Sequence, residues 1–435
     1  MFPIHPVRIA HGVWIAVLAS AMLPVLLLAG CSREAAVPAA ATAPPGVPVA
    51  TDWPLPAPAG AAQPDLVRAP DGRLLLSWVE PAGERGHRLQ LAATLAGETG
   101  WAPTLAVAEG EGWFVNWADT PRVQALADGS LWAHWLERTG PSRMDYGIAL
   151  VRSDDGGRHW QRSAPVHPRG RGDHGFTTFW RAGDDRLGLA WLDSRQKAAA
   201  GETEGHDGHH GGAAAMMLRA AVHGPDGVQQ AEWPLDASTC DCCTTASAQT
   251  ARGVVVVYRG RGAGEIRDTR IVRLQPDGTW TAPRDVHRDG WRFPGCPVNG
   301  PAVAAEDQDV WVAWYTEADA VPELRLAHSR DAGGRFDPPV VLARGPQVLG
   351  RVALAQGGGH VHAAWLEEAG EGGQVLRLAR YAPDLASPAV VQVATLHARG
   401  RASGLPRLQW ADGAAWLAWT DVEAGAPVLR GAVVR

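Results

Sequence analysis

Leu187-Gly188-Leu189-Ala190-Trp191-Leu192-Asp193 is a short apolar run that ends in an aromatic residue and then a charged one. The same signature recurs along the chain. It closes at Trp78 in LLLSWVE, Trp135 in LWAHWLE, Tyr258 in VVVVYR, Trp314 in VWVAWYTE, Trp365 in VHAAWLEE and Trp419 in AWLAWTD. These seven copies lie 51 to 67 residues apart. Before each stands a strand-like segment and a corner rich in Asp and Gly, the residues of tight hairpin turns. After most of them comes a third strand, such as YGIALVRS or ELRLAHS. Alternating β-branched and aromatic residues without helical periodicity read as all-β. A repeat of this length fits one four-stranded blade, so the chain is read as a β-propeller. Seven units are counted, with six blades as the alternative.

The ends of the repeat array suggest how the ring closes. The last unit stops after PVLRGAVVR and lacks a fourth strand. Thr51-Asp52-Trp53-Pro54-Leu55 matches Ala231-Glu232-Trp233-Pro234-Leu235, which holds the fourth-strand position of the third unit. The N-terminal strand is therefore expected to complete the last blade and remove an exposed sheet edge.

Two segments read S-x-D-x-G-x-x-[WF]: Ser153, Asp155, Gly157 and Trp160, then Ser329, Asp331, Gly333 and Phe336. They resemble the Asp box of sialidases and bacterial neuraminidase-repeat proteins. The resemblance implies a sialidase-like propeller over the mature chain, with the boxes in structural roles. In that family three arginines grip a carboxylate, a tyrosine activated by a glutamate attacks, and an aspartate is the acid/base. Carried over, this nominates Tyr258 and Glu265 with Arg195, Arg259 and Arg267. The family's Arg-Ile-Pro motif is absent; Gln63-Pro64-Asp65-Leu66 stands in its place.

The first residues have their own logic. An apolar run from Val13 to Leu28 ends Leu28-Ala29-Gly30-Cys31, too short for an ordinary membrane span. It resembles the lipobox of bacterial lipoproteins, which implies a signal peptide over 1–30 and acylation of Cys31. Ser32 after the cysteine implies outer-membrane sorting and a periplasm-facing protein of the cell envelope. Residues 31–49, rich in Ala and Pro, read as a tether, and 50–435 as the propeller.

With Cys31 so assigned, Cys240, Cys242, Cys243 and Cys296 remain. Aligning the units on the aromatic of each second strand puts Cys240 and Cys296 each 18 positions before it, Trp117 likewise, and His174 at 17. Asp173 and Asn299 fall beside them. Loops entering the innermost strand and leaving the second strand share one face of a propeller. These residues are therefore expected around one channel mouth. Glu80, Glu137, Asp193, Arg195, Arg259, Glu317, Glu367 and Asp421 would form its rim, which is mostly acidic. An insertion over 196–215 brings His206, His209 and His210 to the same face. Thiolates and imidazoles suit copper or zinc, while an even number of cysteines in an oxidising compartment equally suits disulfides. Asp173, Asp193, Asn299 and Trp117 are candidate ligand contacts. Most of the 20 tryptophans are expected in the core, with Trp117 and Trp291 as exposed exceptions.

A net charge of −6 with pI about 6.2 argues against a nucleic-acid partner, which needs clustered positive charge. Three functions remain open: a lipid-anchored propeller binding a small ligand or transition metal, a sialidase-type glycoside hydrolase, and a scaffold that docks another protein.

Overall fold

The computed structural model describes residues 48–435 apart from 96, 200–214 and 387. The expectations for the signal peptide, the Cys31 anchor and the His206, His209 and His210 loop fall outside these residues. The rest forms seven four-stranded antiparallel sheets, which settles the count at seven blades. No helix among the described residues is long and apolar enough to cross a membrane.

Six blades use their strands in sequence order from the axis outward, and the last takes its outermost strand from the N-terminal end. Blade 3 is typical, with strands His174–Arg181, Leu187–Asp193, Met216–His223 and Gln229–Thr239. The first strands of neighbouring blades touch around a closed ring. Second strands are covered on both faces by adjacent blades, which is why their sequences are almost continuously apolar. All seven residues of Leu187–Asp193 are buried. Their aromatic residues are the largest core side chains; Trp78, Trp191 and Trp314 are at most 1% exposed.

The acid after each aromatic has a physical role. Residues two apart on a strand share a face, so the carboxylate can meet the indole N–H. Trp78 donates to Glu80 at 2.9 Å, Trp135 to Glu137 at 2.9 Å, Trp191 to Asp193 at 2.8 Å and Trp365 to Glu367 at 2.8 Å. Asp421 instead accepts the backbone N–H groups of His397 and Ala398. Much of the expected acidic rim is thus consumed in satisfying buried donors.

The ring closes through Ala50–Asp52, which pairs antiparallel with Ala426–Val434. Trp53 then plugs the seam. It is 2% exposed, donates its indole N–H to the Thr99 carbonyl at 3.0 Å, and lies 4.7 Å from the rings of both Trp101 and Trp416. The two Ser-x-Asp-x-Gly segments fold alike. Ser153 Oγ accepts the Gly157 N–H at 2.9 Å and Ser329 Oγ that of Gly333 at 3.0 Å. Asp155 and Asp331 accept turn amides.

Trp53→Ala should remove about 3–5 kcal/mol of stability, the usual cost of deleting a buried tryptophan. Urea denaturation should show a lower midpoint. An unchanged midpoint would mean that the seam does not hold the ring.

Candidate functional site

The mouth of the propeller is built from loops that lead into the innermost strands. Three of those strands carry a β-bulge at this end, between Ala62 and Asp65, Gly175 and Thr178, and Gly350 and Ala353. Within the bulges Gln63, Phe176 and Arg351 adopt φ of 58°, 52° and 55°. Left-handed backbone costs non-glycine residues energy and gathers at functional sites, where bulges re-aim side chains. The alternation of the sequence gives no warning of these three positions.

The thiols come from two loops. Residues 240–245 connect the outermost strand of blade 3 to the first strand of blade 4. The Cys240 N–H donates to the Arg259 carbonyl at 2.9 Å, and Thr245 Oγ1 donates to the Phe176 carbonyl at 2.6 Å. The turn between these anchors folds C-x-C-C so that its sulfurs converge. Cys240 Sγ lies 3.8 Å from Cys242 Sγ and 3.4 Å from Cys243 Sγ, and all three lie within 4.8 Å of one another. These separations exceed the ~2.05 Å of a disulfide bond, and all four described cysteines are thiols.

The second loop, 295–300, lies directly on the first. A Cβ at Gly300 would sit 2.1 Å from Thr244 Oγ1 and 2.2 Å from its carbonyl oxygen, so only glycine permits this approach. Asn299, 8% exposed, brackets the two loops to blade 6. Its Nδ2 donates to the Leu349 carbonyl at 3.1 Å, and its Oδ1 accepts the Arg351 N–H at 2.8 Å. Its own N–H lies beside the Cys243 sulfur, and Cys296 neighbours Cys242. The two loops therefore bring four sulfurs together, two of them buried at 1% exposure, Cys242 half-buried and Cys296 exposed.

Electrostatics single out one sulfur. Burial resists charging Cys243. Hydrogen bonds from Cys240 and Cys242, the nearby Arg259 guanidinium and the Asn299 N–H outweigh it and hold the thiol well below its ordinary value. Cys242 is pushed well up by its bonds to Cys240, Cys243 and Cys296. These surroundings favour charge on Cys243 over its neighbours. Arg259 is suited to face it. The guanidinium is 1% exposed, donates only to the carbonyls of Asn299, Arg267 and Tyr315, and stacks 4.9 Å above Trp291. Its positive charge has no carboxylate partner among these contacts. Trp291, expected at the surface, is 3% exposed beneath it.

The other candidates are placed as follows. His174 is buried, stacks on His167 at 3.8 Å and turns Nδ1 toward Asp193 at 3.4 Å. Asp193 also accepts from Trp191 and Arg195, and Arg195 further pairs with Glu232 at 2.9 Å. Tyr258 is fully buried, and its hydroxyl donates to Asp236 at 2.7 Å. Glu265 is held by Arg261 and Arg267. The five residues nominated for glycoside cleavage are thus engaged in structural contacts: Glu265, Arg267 and Arg259 form one chain, while Tyr258 and Arg195 belong to others. Trp117 presents its ring to the Arg351 guanidinium at 4.6 Å. Asp173 donates its N–H to Ser194 Oγ at 2.7 Å, and Lys197 in the short helix Arg195–Ala199 pairs with Asp241. The start of the insertion is thereby pinned to the thiol loop.

Sequence reasoning missed the groups lying between these elements. Tyr146 is 3% exposed and electrostatically coupled to Asp173, Asp119, Cys242 and Asp241. Below the mouth an axial channel of about 610 Å³ is lined by the innermost strands, including Asp65, Arg122, Thr244, Thr245, Pro301 and Arg407. Arg122 and Arg407 each lie 3.5 Å from the one Asp65 carboxylate, leaving excess positive charge. Burial, with Arg122 nearby, draws Arg407 down to about 10. Arginines in strands that read as ordinary blade sequence carry no signal until the ring is closed.

Neither a family model nor a curated protein sequence matches this chain. Among solved structures it is similar to the polysaccharide lyase Uly1, at a TM-score of 0.50 and 10% identity over 87% of this chain and 90% of that one. A Dyadobacter fermentans protein of unknown function gives a TM-score of 0.48 at 12% identity, covering 87% and 95%. An α-L-arabinofuranosidase from Fusarium graminearum gives 0.41 at 14%, covering 89% and 97%. At such identities the likeness to the lyase concerns the propeller fold alone.

Asp119 offers a check on the mouth. It is 2% exposed; Oδ1 accepts the Phe176 N–H at 2.7 Å, and Oδ2 has no partner among the described residues. Burial raises its pKa from 3.8 to about 7. A raised carboxyl favours the folded state below pH 4, and that contribution is lost as pH rises through about 7. Asp119→Asn should therefore be more stable than the wild type at pH 8, with the advantage shrinking toward pH 5. Urea titrations at the two pH values measure it; a pH-independent difference would refute the buried-acid assignment.

Proposed function

We propose that this chain is an exported propeller, lipid-anchored through Cys31, that binds a soft transition-metal ion at its channel mouth. One observation carries the reading: the sulfurs of Cys240, Cys242 and Cys243 converge within 4.8 Å of one another. Three thiolates at about 2.3 Å from one ion stand about 4 Å apart, so little movement is needed to close around it. Soft sulfur donors select copper(I) or zinc over hard ions. Three-sulfur coordination suits copper(I), whereas a structural zinc site takes four ligands. The uncompensated Arg259 offsets the negative charge that bound thiolates would bring.

Protein purified anaerobically should bind one equivalent of copper(I) in a chelator competition. Cys242→Ser should weaken binding by about 100-fold, the scale of losing a key contact in a metal site. Because thiols must lose protons to bind, affinity should fall on acidification. No copper(I) or zinc retained by reduced protein would sink the reading.

A second reading rests on the channel rather than the thiols. Two guanidiniums sharing one carboxylate inside a polar cavity suit an anionic group, such as that of an acidic sugar. This supports glycan binding or a sialidase-type hydrolase. A uronic-acid oligosaccharide or sialoside should then bind in calorimetry, and Arg122→Gln should abolish the heat. Equal binding by wild type and variant would remove Arg122 from that role.

A further inference from the structure

The four sulfurs form a series graded in exposure. Cys240 and Cys243 are 1% exposed, Cys242 is half-buried, and Cys296 is exposed, on the loop that lies against Thr244 next to Cys243. The three sulfurs that converge are those of the first loop. The fourth belongs to the lip, where its loop is fixed by the Gly300–Thr244 approach and by Asn299. A closed four-sulfur zinc site would place all four ligands around one point. An exposed thiol at the edge of a buried trio has another use, since accessible thiolates react by direct attack.

From this gradient we infer that the mouth is a metal-transfer site, with Cys296 as the exchange ligand that passes copper(I) to and from the buried trio through Cys242. The inference rests on the thiol site proposed above. A soft ion leaving one thiolate does so as another binds it, so a buried trio needs a sulfur on its route. Loading begins with a copper(I)–thiolate complex of a small donor. The Cys296 sulfur bonds copper and yields its proton to solvent, while the donor sulfur departs and takes a proton up. Cys242 then bonds copper as the Cys296–copper bond breaks, its proton passing to the departing Cys296 sulfur, and Cys240 and Cys243 complete the trigonal set, any thiol protons they carry leaving to solvent. Copper stays in the +1 state throughout, and no oxidant is consumed. Unloading reverses these steps.

The test separates rate from affinity. Full-length protein loaded with copper(I) is mixed with the chelator bathocuproine disulfonate, and formation of the coloured chelate is followed by stopped flow. Cys296→Ser, an exposed substitution that leaves the buried trio intact, should keep the equilibrium affinity of the wild type while slowing transfer by about tenfold. Cys242→Ser should lose affinity itself. Unchanged transfer in Cys296→Ser would overturn the relay. So would a loss of affinity matching that of Cys242→Ser, which would mark Cys296 as a permanent fourth ligand. Failure of the wild type to take up copper(I) would instead overturn the underlying thiol-site reading, before any rate is compared.

Discussion

A ring of sheets has no edge only if its last sheet is completed, and here that completion is a three-residue strand from the other end of the chain. Ala50–Asp52 on Ala426–Val434 converts seven blades into a closed object with one axis. Every functional statement depends on this constraint. It forces the first strands into contact around a channel and aims their entry loops at a common point. The strand itself makes few hydrogen bonds. Trp53 adds to the seam by stacking on Trp101 and meeting Trp416 edge-on, burying apolar area that a short strand could not supply.

Within that frame the molecule distributes its buried charge by rule. Four of the acids that follow the second-strand aromatics meet indole N–H groups, because a buried donor left without a partner is costly. Where the pairing changes, chemistry collects. Arg259 spends its guanidinium on carbonyl oxygens and lies near a thiol of low pKa. Arg122 and Arg407 divide one carboxylate. Asp119 keeps one oxygen without a partner. Strained backbone marks the same end of the axis, at Gln63, Phe176 and Arg351.

The thiol centre shows how two unrelated loops become one site. C-x-C-C supplies convergence locally, since a turn between fixed ends can bring three nearby side chains to a point. Cys296 joins only because Gly300 lets the next blade's loop lie against Thr244. Asn299 then ties that loop to Cys243 on one side and Arg351 on the other. A single residue, through its backbone on one side and its side chain on the other, thereby couples the sulfurs to the bulge on blade 6.

What the sequence determined by itself is the periodic part: all-β blades and the strand that closes the ring, with the count narrowed to seven or six. These follow from apolar runs such as 187–193 and from the match between 51–55 and 231–235, because hydrophobic period and chain order are local properties. Spacing also nominated Cys240 and Cys296 for one face. It could not assign partners. Tyr258, Glu265 and Arg195 carry the right chemistry for a reactive site, yet the fold commits each to a structural neighbour. Tyr146, Arg122 and Arg407 look like ordinary strand residues and acquire meaning only through neighbours from other blades. Burial, charge compensation and sulfur convergence depend on which distant segments pack together, and only the closed ring decided that.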